Sequence, residues 1–231
     1  MSNKMRSILI KMIIVGECET GKTFLCKKLT NNHIINGYIA TIGLDMYVLR
    51  KQLNNIEAKI HLWDTSGSPS YFNIIKSYFN ACCASIIIID LSNKNCFKNM
   101  TKWICELKDV KRNDNEKIII SVFADTSSGI YGNHVYDFEN YCKKEKVYFY
   151  KLNLFNDDVK LNEKFDEFFE IINKNFIFNG NIVHGINYYL DKDITTIPLL
   201  NGTSGNSGTN GTNGNTIVNK TKNLLNCCSI M

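Results

Sequence analysis

The sequence has 231 residues, of which 44% are hydrophobic and 21% are charged, the mixture of an ordinary globular protein. This length allows one domain with a sizeable core plus a tail. The net charge of +5, from 27 basic and 22 acidic residues, is too small to indicate a nucleic-acid-binding protein. No stretch approaches the roughly 20 apolar residues of a membrane-spanning helix, and the N-terminal segment lacks the pattern of a signal peptide.

Nine cysteines are scattered along the chain, and no two of them form a C-x-x-C pair. Their odd number and irregular spacing argue against a disulfide framework. We therefore expect reduced thiols and a cytosolic location.

Apolar strand patterns alternate with helical patterns along most of the chain. The predicted strands are residues 7–15, 45–53, 57–64, 84–90, 117–125 and 147–154. The predicted helices are residues 22–29, 98–110, 136–145 and 162–175. This alternation predicts an α/β fold with a six-stranded, mostly parallel sheet and helices on both faces. The early hairpin would supply one antiparallel edge strand.

The composition changes after about residue 175. Residues 201–216 are only Asn, Gly, Ser and Thr, and such a segment cannot bury enough apolar area to offset the chain entropy that ordering costs. We therefore expect one folded domain over residues 1–175 and a flexible, disordered tail over residues 176–231.

The stretch "GECETGKT" lies between a predicted strand and a predicted helix, with the spacing G-x-x-x-x-G-K-T of a phosphate-binding loop. Backbone N–H groups at a helix start bind phosphates, Lys22 would reach the β- and γ-phosphates, and the Thr23 hydroxyl would ligate Mg²⁺. Taken alone, the pattern also fits a glycine-containing turn. The loop residues are Gly16, Glu17, Cys18, Glu19, Thr20, Gly21, Lys22 and Thr23.

Two later stretches supply groups for the same site. In "HLWDTSGS", Asp64 ends a predicted strand, where a magnesium-orienting carboxylate is expected, although the stretch also fits a plain turn. In "YIATIGLDM", Thr41 would offer Mg²⁺ a second hydroxyl. The phosphate site would thus also include Thr41, Asp64, Thr65, Ser66 and Gly67.

These three stretches, in this order and at these intervals, resemble a small GTPase of the Ras superfamily, specifically the Rab branch. "TIGLDM" resembles the Rab effector segment, and "LWDTSG" is similar to the Rab "WDTAGQ" stretch. The resemblance covers about residues 8–175 and implies a P-loop NTPase G domain. It also implies binding of GTP or GDP with Mg²⁺ held by Thr23, Thr41 and Asp64, and two switch segments that order around the γ-phosphate.

The same resemblance implies a membrane-anchored switch in vesicle traffic. Its expected partners are effector proteins, an exchange factor and a GTPase-activating protein. Effectors would bind the segment after Asp64 and an effector segment. That effector segment comprises Tyr38, Ile39, Ala40, Thr41, Ile42, Gly43, Leu44, Asp45 and Met46.

The sequence departs from the family pattern where guanine is bound. The family's Asn-Lys-x-Asp motif is matched by Val122, Phe123, Ala124 and Asp125. Asp125 is expected to select guanine, unless it is a solvated strand-end carboxylate, and Phe123 could stack on the base. The family's Ser-Ala-Lys motif survives only as Asn153-Leu154-Phe155, where the Leu154 N–H could contact the base. These losses also fit an NTPase of relaxed base specificity.

Other departures bear on binding strength and turnover. Glu17 is expected to face solvent. Glu19 replaces a glycine or other small residue, and its charge would weaken phosphate binding unless the side chain turns outward. Ser68 replaces the glutamine that orients the attacking water, and Pro69 follows it, which predicts very slow GTP hydrolysis. A pseudo-GTPase that serves as an interaction module is the main alternative function.

Adjacent cysteines, Cys227 and Cys228, precede the last three residues. A C-a-a-X box ending in Met favours farnesylation, whereas the resemblance implies that a prenyl transferase adds two geranylgeranyl groups. One lipid chain gives only marginal binding, whereas two would anchor the protein stably to the cytoplasmic face of a membrane, which favours the paired modification. Two inert thiols are the alternative.

Overall fold

The computed structural model describes residues 6–32, 39–53, 56–110, 118–130, 135–175 and 186–190. These belong to the first of two units of the chain, Met1–Ile194, and the second unit, Thr195–Met231, lies wholly outside them. None of the described helices is both long and apolar enough to cross a bilayer.

The described residues form seven strands and five α-helices. The strands are β1 Arg6–Val15, β2 Leu44–Leu53, β3 Ile56–Thr65, β4 Ala84–Asp90, β5 Ile119–Asp125, β6 Tyr148–Leu152 and β7 Ile186–Leu190. The helices are α1 Lys22–Leu29, α2 Phe72–Tyr78, α3 Cys96–Lys108, α4 Val135–Lys144 and α5 Asp158–Asn173. Short 3₁₀ turns, Pro69–Tyr71 and Phe79–Ala81, flank α2.

Six strands lie in the order β2-β3-β1-β4-β5-β6. Strand β2 runs antiparallel to β3, and the other neighbours in this row are parallel. This arrangement confirms the predicted six-stranded, mostly parallel sheet with one antiparallel edge strand. The parallel strands therefore present their carboxyl ends along one edge, where open α/β sheets usually bind ligands.

Strand β7 was not predicted. It pairs antiparallel with the first half of β1, from Arg6 opposite Leu190 to Ile10 opposite Ile186, while β4 pairs with the second half of β1. The segment "INYYL" has the β-branched and aromatic residues typical of strands. It lies within the predicted tail, so the sheet continues past residue 175.

Helices cover both faces of the sheet, as predicted, and β1 shows why. Successive strand residues point to opposite faces. Accordingly, Ile10, Met12 and Ile14 join a buried cluster with α1 and α5, whereas Ile13 and Val15 join a second cluster with α2, α3 and α4. The sheet is therefore buried on both sides, which accounts for the nearly unbroken apolar sequence of its central strands.

Two element boundaries differ from the prediction in ways that matter for the site. Strand β6 ends at Leu152, so Asn153 and Leu154 lie in the following loop. Helix α5 begins at Asp158, four residues before the predicted start, because the Asp157 carboxylate caps it by accepting the Lys160 N–H at 3.0 Å.

Candidate functional site

The loop between β1 and α1 requires glycine at both of its ends. A Cβ on Gly16 would lie 2.3 Å from the Ile88 carbonyl oxygen, and Gly21, the N-cap residue just before α1, has a φ of +91°. Within the loop, the Thr20 hydroxyl donates to the Glu17 carbonyl at 3.0 Å. The chain thus makes a tight turn around the start of a helix, which is the geometry that binds anions through backbone N–H groups.

Lys22 points its ammonium group back into this loop. The side chain is buried, and Nζ donates to the Glu17 carbonyl at 2.5 Å. Burial lowers the pKa of Lys22, and the charges of nearby groups, first the Asp64 carboxylate, oppose that shift. A cation removed from water in this way would be stabilised by an anion bound in the loop.

Three oxygen-bearing side chains from separate parts of the chain meet beside Lys22. Asp64 Oδ2 accepts from Thr23 Oγ1 at 2.6 Å and from Thr41 Oγ1 at 3.1 Å, and the two hydroxyl oxygens are 2.9 Å apart. The structure therefore brings together the three residues that the sequence analysis assigned to Mg²⁺, from α1, from the segment before β2 and from the end of β3.

The Asp64 carboxylate is fully buried, and its Oδ1 has no hydrogen-bond partner among the described residues. Burial raises the pKa of Asp64, whereas the hydrogen bonds from Thr23 and Thr41 and the charge of Lys22 lower it. An orphaned carboxylate oxygen beside two hydroxyls suits Mg²⁺, which takes few protein ligands and completes its shell with water and phosphate oxygens. The described residues contain no group of three or more His, Cys, Asp or Glu placed to hold a metal.

The residues after Asp64 connect this cluster to its surroundings. The Thr65 hydroxyl donates to a backbone carbonyl of β1 at 2.8 Å, and the Ser66 N–H donates to the Gly43 carbonyl at 2.8 Å. Gly67 lies directly against the phosphate loop, since a Cβ there would be 2.2 Å from the Cys18 nitrogen. Thr65 and Ser66 therefore fix the path of the chain, and Gly67 is the residue that brings it next to the loop.

Glu17 is half-buried and hydrogen-bonded within the protein, so it does not simply face solvent as expected. Its Oε1 accepts from Trp103 Nε1 at 3.1 Å, and the buried Trp103 ring packs against Phe72 of α2 with ring centroids 5.7 Å apart. A buried indole N–H needs an acceptor, and the glutamate supplies one. The contact links the phosphate loop to α3 and, through Phe72, to the segment after Asp64.

Glu19 has an exposed side chain, the outward orientation that the sequence analysis left open. Its φ is +63°, in the left-handed region that non-glycine residues rarely adopt. The backbone of the loop thus still needs the conformation of glycine at a position where the sequence has glutamate.

The expected base-binding stretch is part of the core. Val122, Phe123 and Ala124 are fully buried, and the Phe123 ring meets Tyr150 edge to face at 5.3 Å between ring centroids. The prediction that Phe123 stacks on a base is therefore wrong. The physical reason is that β5 continues to Asp125, so these side chains alternate into the two hydrophobic clusters instead of lining a loop.

Asp125 is neither solvated nor open to a ligand. It is 2% exposed. Its Oδ1 accepts the N–H groups of Leu154 at 2.9 Å and Ser127 at 3.2 Å, and its Oδ2 accepts the Ser127 hydroxyl. The Leu154 N–H, expected to contact the base, is thereby used within the protein. The Asn153 side chain caps the same loop by accepting two backbone N–H bonds.

Two aromatic residues near the loop were given no role by the sequence analysis. Phe155 lies with its ring centroid 4.5 Å from that of Phe24, and its ring edge is 3.5 Å from where a Gly21 Cβ would be. Lys28 lies 4.9 Å from the Phe24 ring centroid and donates to the Leu154 carbonyl at 3.1 Å. The only sequence signal was an aromatic residue inside the weakened Ser-Ala-Lys match.

The expected effector segment is described except for Tyr38, which lies outside the described residues. Ile39, Ile42 and Met46 are all exposed large hydrophobic residues, and they flank Thr41, whose hydroxyl reaches the Asp64 cluster. The segment therefore has an inward contact with the site and an apolar outer surface.

Ser68 has the extended backbone that a following proline favours, with φ −75° and ψ 132°. Its N–H donates to the Ser66 side chain at 3.3 Å, and Pro69 begins the short 3₁₀ turn before α2. The residue at the usual glutamine position is thus held at the start of a turn.

Comparison with known proteins gives one family match and several relatives. A model of the Ras family matches residues 11–175. Ras-related protein Rab-15 of Rattus norvegicus is 27% identical over 122 residues, which cover 53% of this chain and 58% of that protein. Ras-related protein Rab-10 of Diplobatis ommata is 25% identical over 120 residues, covering 52% and 60%.

DnaJ homolog subfamily C member 27 of Bos taurus is 29% identical over 121 residues, which cover 52% of this chain and 44% of that protein. The chain thus spans less than two thirds of the length of each of these relatives.

The strained backbone at Glu19 generates a stability prediction. Replacing Glu19 with Gly should raise the free energy of unfolding by roughly 1 kcal/mol, because the left-handed strain is removed. Cys18→Gly is the matched control, since Cys18 is exposed too but is not among the residues with positive φ. It should lower stability by about 0.4–1 kcal/mol through the entropy of the unfolded chain. Equal losses in both variants, measured by denaturant unfolding without nucleotide, would contradict the assignment of strain.

Proposed function

The chain belongs to the Ras family, and we propose that it is a Rab-like switch that binds GTP and GDP together with Mg²⁺. The observation that carries the proposal is the meeting of Thr23, Thr41 and Asp64 beside the buried Lys22. These groups come from three separate segments, and phosphate-bound Mg²⁺ is a ligand that would engage all of them.

Each group would have a separate task. The backbone of residues 16–21 and the Lys22 ammonium would hold the phosphates, and Thr23, Thr41 and Asp64 would hold Mg²⁺. Mg²⁺ held by these residues would supply positive charge that offsets the negative charge of the phosphates. Thr41 and Gly67 lie on the two segments that contact the loop region, so a γ-phosphate would favour one arrangement of both segments.

Lys22→Ala should reduce the affinity for Mg²⁺-GTP by roughly 30-fold or more, because the phosphates lose a buried, charge-assisted partner. Lys27→Ala is the matched control: Lys27 lies in the last turn of the same helix and should bind as the wild type does. Calorimetric titration with GTP and GDP, with Mg²⁺ and with EDTA, measures these affinities.

If the wild-type protein binds neither GTP nor GDP in excess Mg²⁺, the proposal of a nucleotide-dependent switch is wrong. The alternative function, a pseudo-GTPase that serves as an interaction module, would then be favoured. The observation that favours this second function is the burial of Val122–Ala124, because buried side chains at the expected base site would not contact a nucleotide. Because the Glu19 side chain is exposed and its charge is screened by solvent, Glu19→Gly should leave the rate of nucleotide release nearly unchanged.

We expect very slow intrinsic hydrolysis of GTP. The Ser68 hydroxyl is carried on a single carbon and stops short of the position where a glutamine amide would orient water. No arginine occurs in residues 38–46 or 64–78, and Arg50 is paired with Glu57 at 2.9 Å. A GTPase-activating protein would have to supply the missing groups.

Single-turnover hydrolysis of preloaded GTP measures this directly, with Ser68→Gln as the comparison. The Gln variant should be faster than the wild type. A wild-type rate above that of the variant would refute the assignment.

We also propose that the protein acts on the cytoplasmic face of a membrane in vesicle traffic. Effectors would bind the exposed apolar side chains of Ile39, Ile42 and Met46. Cys227 and Cys228 lie outside the described residues. We propose that both are prenylated, because one lipid chain gives only marginal membrane binding whereas two give stable anchoring.

Replacing both cysteines with serine should move the protein from the membrane fraction to the soluble fraction of cells, while either single serine variant should remain partly bound. Fractionation followed by mass spectrometry of the C-terminal peptide provides the measurement. Unmodified cysteines in the membrane-bound protein would contradict this proposal.

A further inference from the structure

We propose that this site binds a Mg²⁺-bound nucleoside triphosphate without selecting guanine, so that GTP and ATP bind with similar affinity. The inference rests on the proposed nucleotide binding and concerns which base is accepted. It follows from a difference between the two halves of the site: the groups for phosphate and Mg²⁺ are in place, whereas those expected to read the base are used inside the protein.

The first step concerns Asp125. One edge of guanine carries two hydrogen-bond donors, N1–H and the 2-amino group, and a carboxylate selects guanine by accepting from both. Asp125 already accepts three hydrogen bonds, from the Leu154 N–H and from both the N–H and hydroxyl of Ser127. A carboxylate has about four acceptor positions, so two guanine donors would have to displace at least one internal donor.

Displacing an internal donor from Asp125 costs free energy, because the groups involved are buried. Leu154 is fully buried and Asp125 is 2% exposed. A buried N–H that loses its acceptor costs roughly 1–3 kcal/mol, about as much as a hydrogen bond to a charged group contributes. One guanine bond would only replace an internal bond, and the second would need access to a carboxylate that is 2% exposed, so little net preference for guanine results.

The third step concerns the other groups near the expected base position. The Leu154 N–H is unavailable to the guanine carbonyl because it already donates to Asp125 at 2.9 Å. The side chains of Val122, Phe123 and Ala124 are fully buried. Val122, Phe123 and Ala124 themselves carry no polar side-chain group that could distinguish a guanine edge from an adenine edge.

Phe155 remains available to a base of any kind. The residue is 42% exposed, its ring lies next to Gly21 at the end of the phosphate loop, and it packs against the ring of Phe24. Stacking on an aromatic ring tolerates every base, because every base has a π-face. The site thus combines a phosphate half that ignores the base with an aromatic contact that does not discriminate between bases.

The test is competition of GTP and ATP for the full-length protein with Mg²⁺. The two dissociation constants should agree within about threefold, whereas a site built to hydrogen-bond one ligand rejects an analogue lacking those groups by roughly 10⁴-fold. Phe155→Ala should weaken both nucleotides alike, by roughly fivefold or more.

Ser127→Ala removes the donor to Asp125 Oδ2 and should raise the preference for GTP over ATP several-fold. Ser128→Ala is the matched control, because Ser128 is the exposed neighbouring serine and should leave the ratio unchanged. Circular dichroism of each variant verifies the fold.

A wild-type preference for GTP of more than tenfold, or a Phe155→Ala effect confined to GTP, would overturn this inference and leave the proposed switch intact. Binding of neither nucleotide would instead overturn the proposed nucleotide binding, and this inference with it.

Discussion

The buried carboxylate of Asp64 is the constraint on which the site depends. It accepts hydrogen bonds from Thr23 and Thr41, so it joins the start of α1, the segment before β2 and the end of β3. A carboxylate that is buried away from water requires hydrogen-bonding or charged partners. The Oδ1 atom of Asp64 has no hydrogen-bond partner among the described residues. Lys22 supplies positive charge nearby, but a bound cation would satisfy the orphaned oxygen directly. Ile39 and Ile42, which form the apolar outer surface, flank Thr41 in the chain. A change in the hydrogen bond between Thr41 and Asp64 would therefore alter the position of these two side chains.

The two halves of the site have different physical origins. The phosphate half depends on backbone geometry: Gly16 and Gly21 shape the turn, and the Glu19 backbone adopts the left-handed conformation although its side chain is not that of glycine. The base half depends on side chains and N–H groups that must stay unpaired until a ligand arrives. In this chain Asp125 and Leu154 pair with each other, because burial makes an unpaired polar group costly.

Local patterns were sufficient to predict much of this molecule. Alternation and apolar runs predicted the six strands of the main row, and the spacing of Gly16, Gly21 and Lys22 predicted the loop between β1 and α1. Contacts between distant residues were not predictable in this way. The bond from Trp103 to Glu17, the Phe24–Phe155 pair and the burial of Phe123 depend on how α3, α1 and β5 pack against the rest of the chain, and no local sequence pattern predicts such contacts. Strand β7 was missed because composition was averaged over a tail that contains a short run of strand-forming residues.

The central claim is that the Asp64 cluster is a Mg²⁺ site completed by nucleotide phosphates. A crystal structure grown with Mg²⁺ and a non-hydrolysable nucleoside triphosphate tests it most directly. The account predicts one Mg²⁺ about 2.1 Å from the hydroxyl oxygens of Thr23 and Thr41, with Asp64 bound directly or through water and the Lys22 ammonium on the phosphates. A structure in which the nucleotide lies elsewhere, with Asp64 still hydrogen-bonded to both threonines and no metal between them, would contradict it.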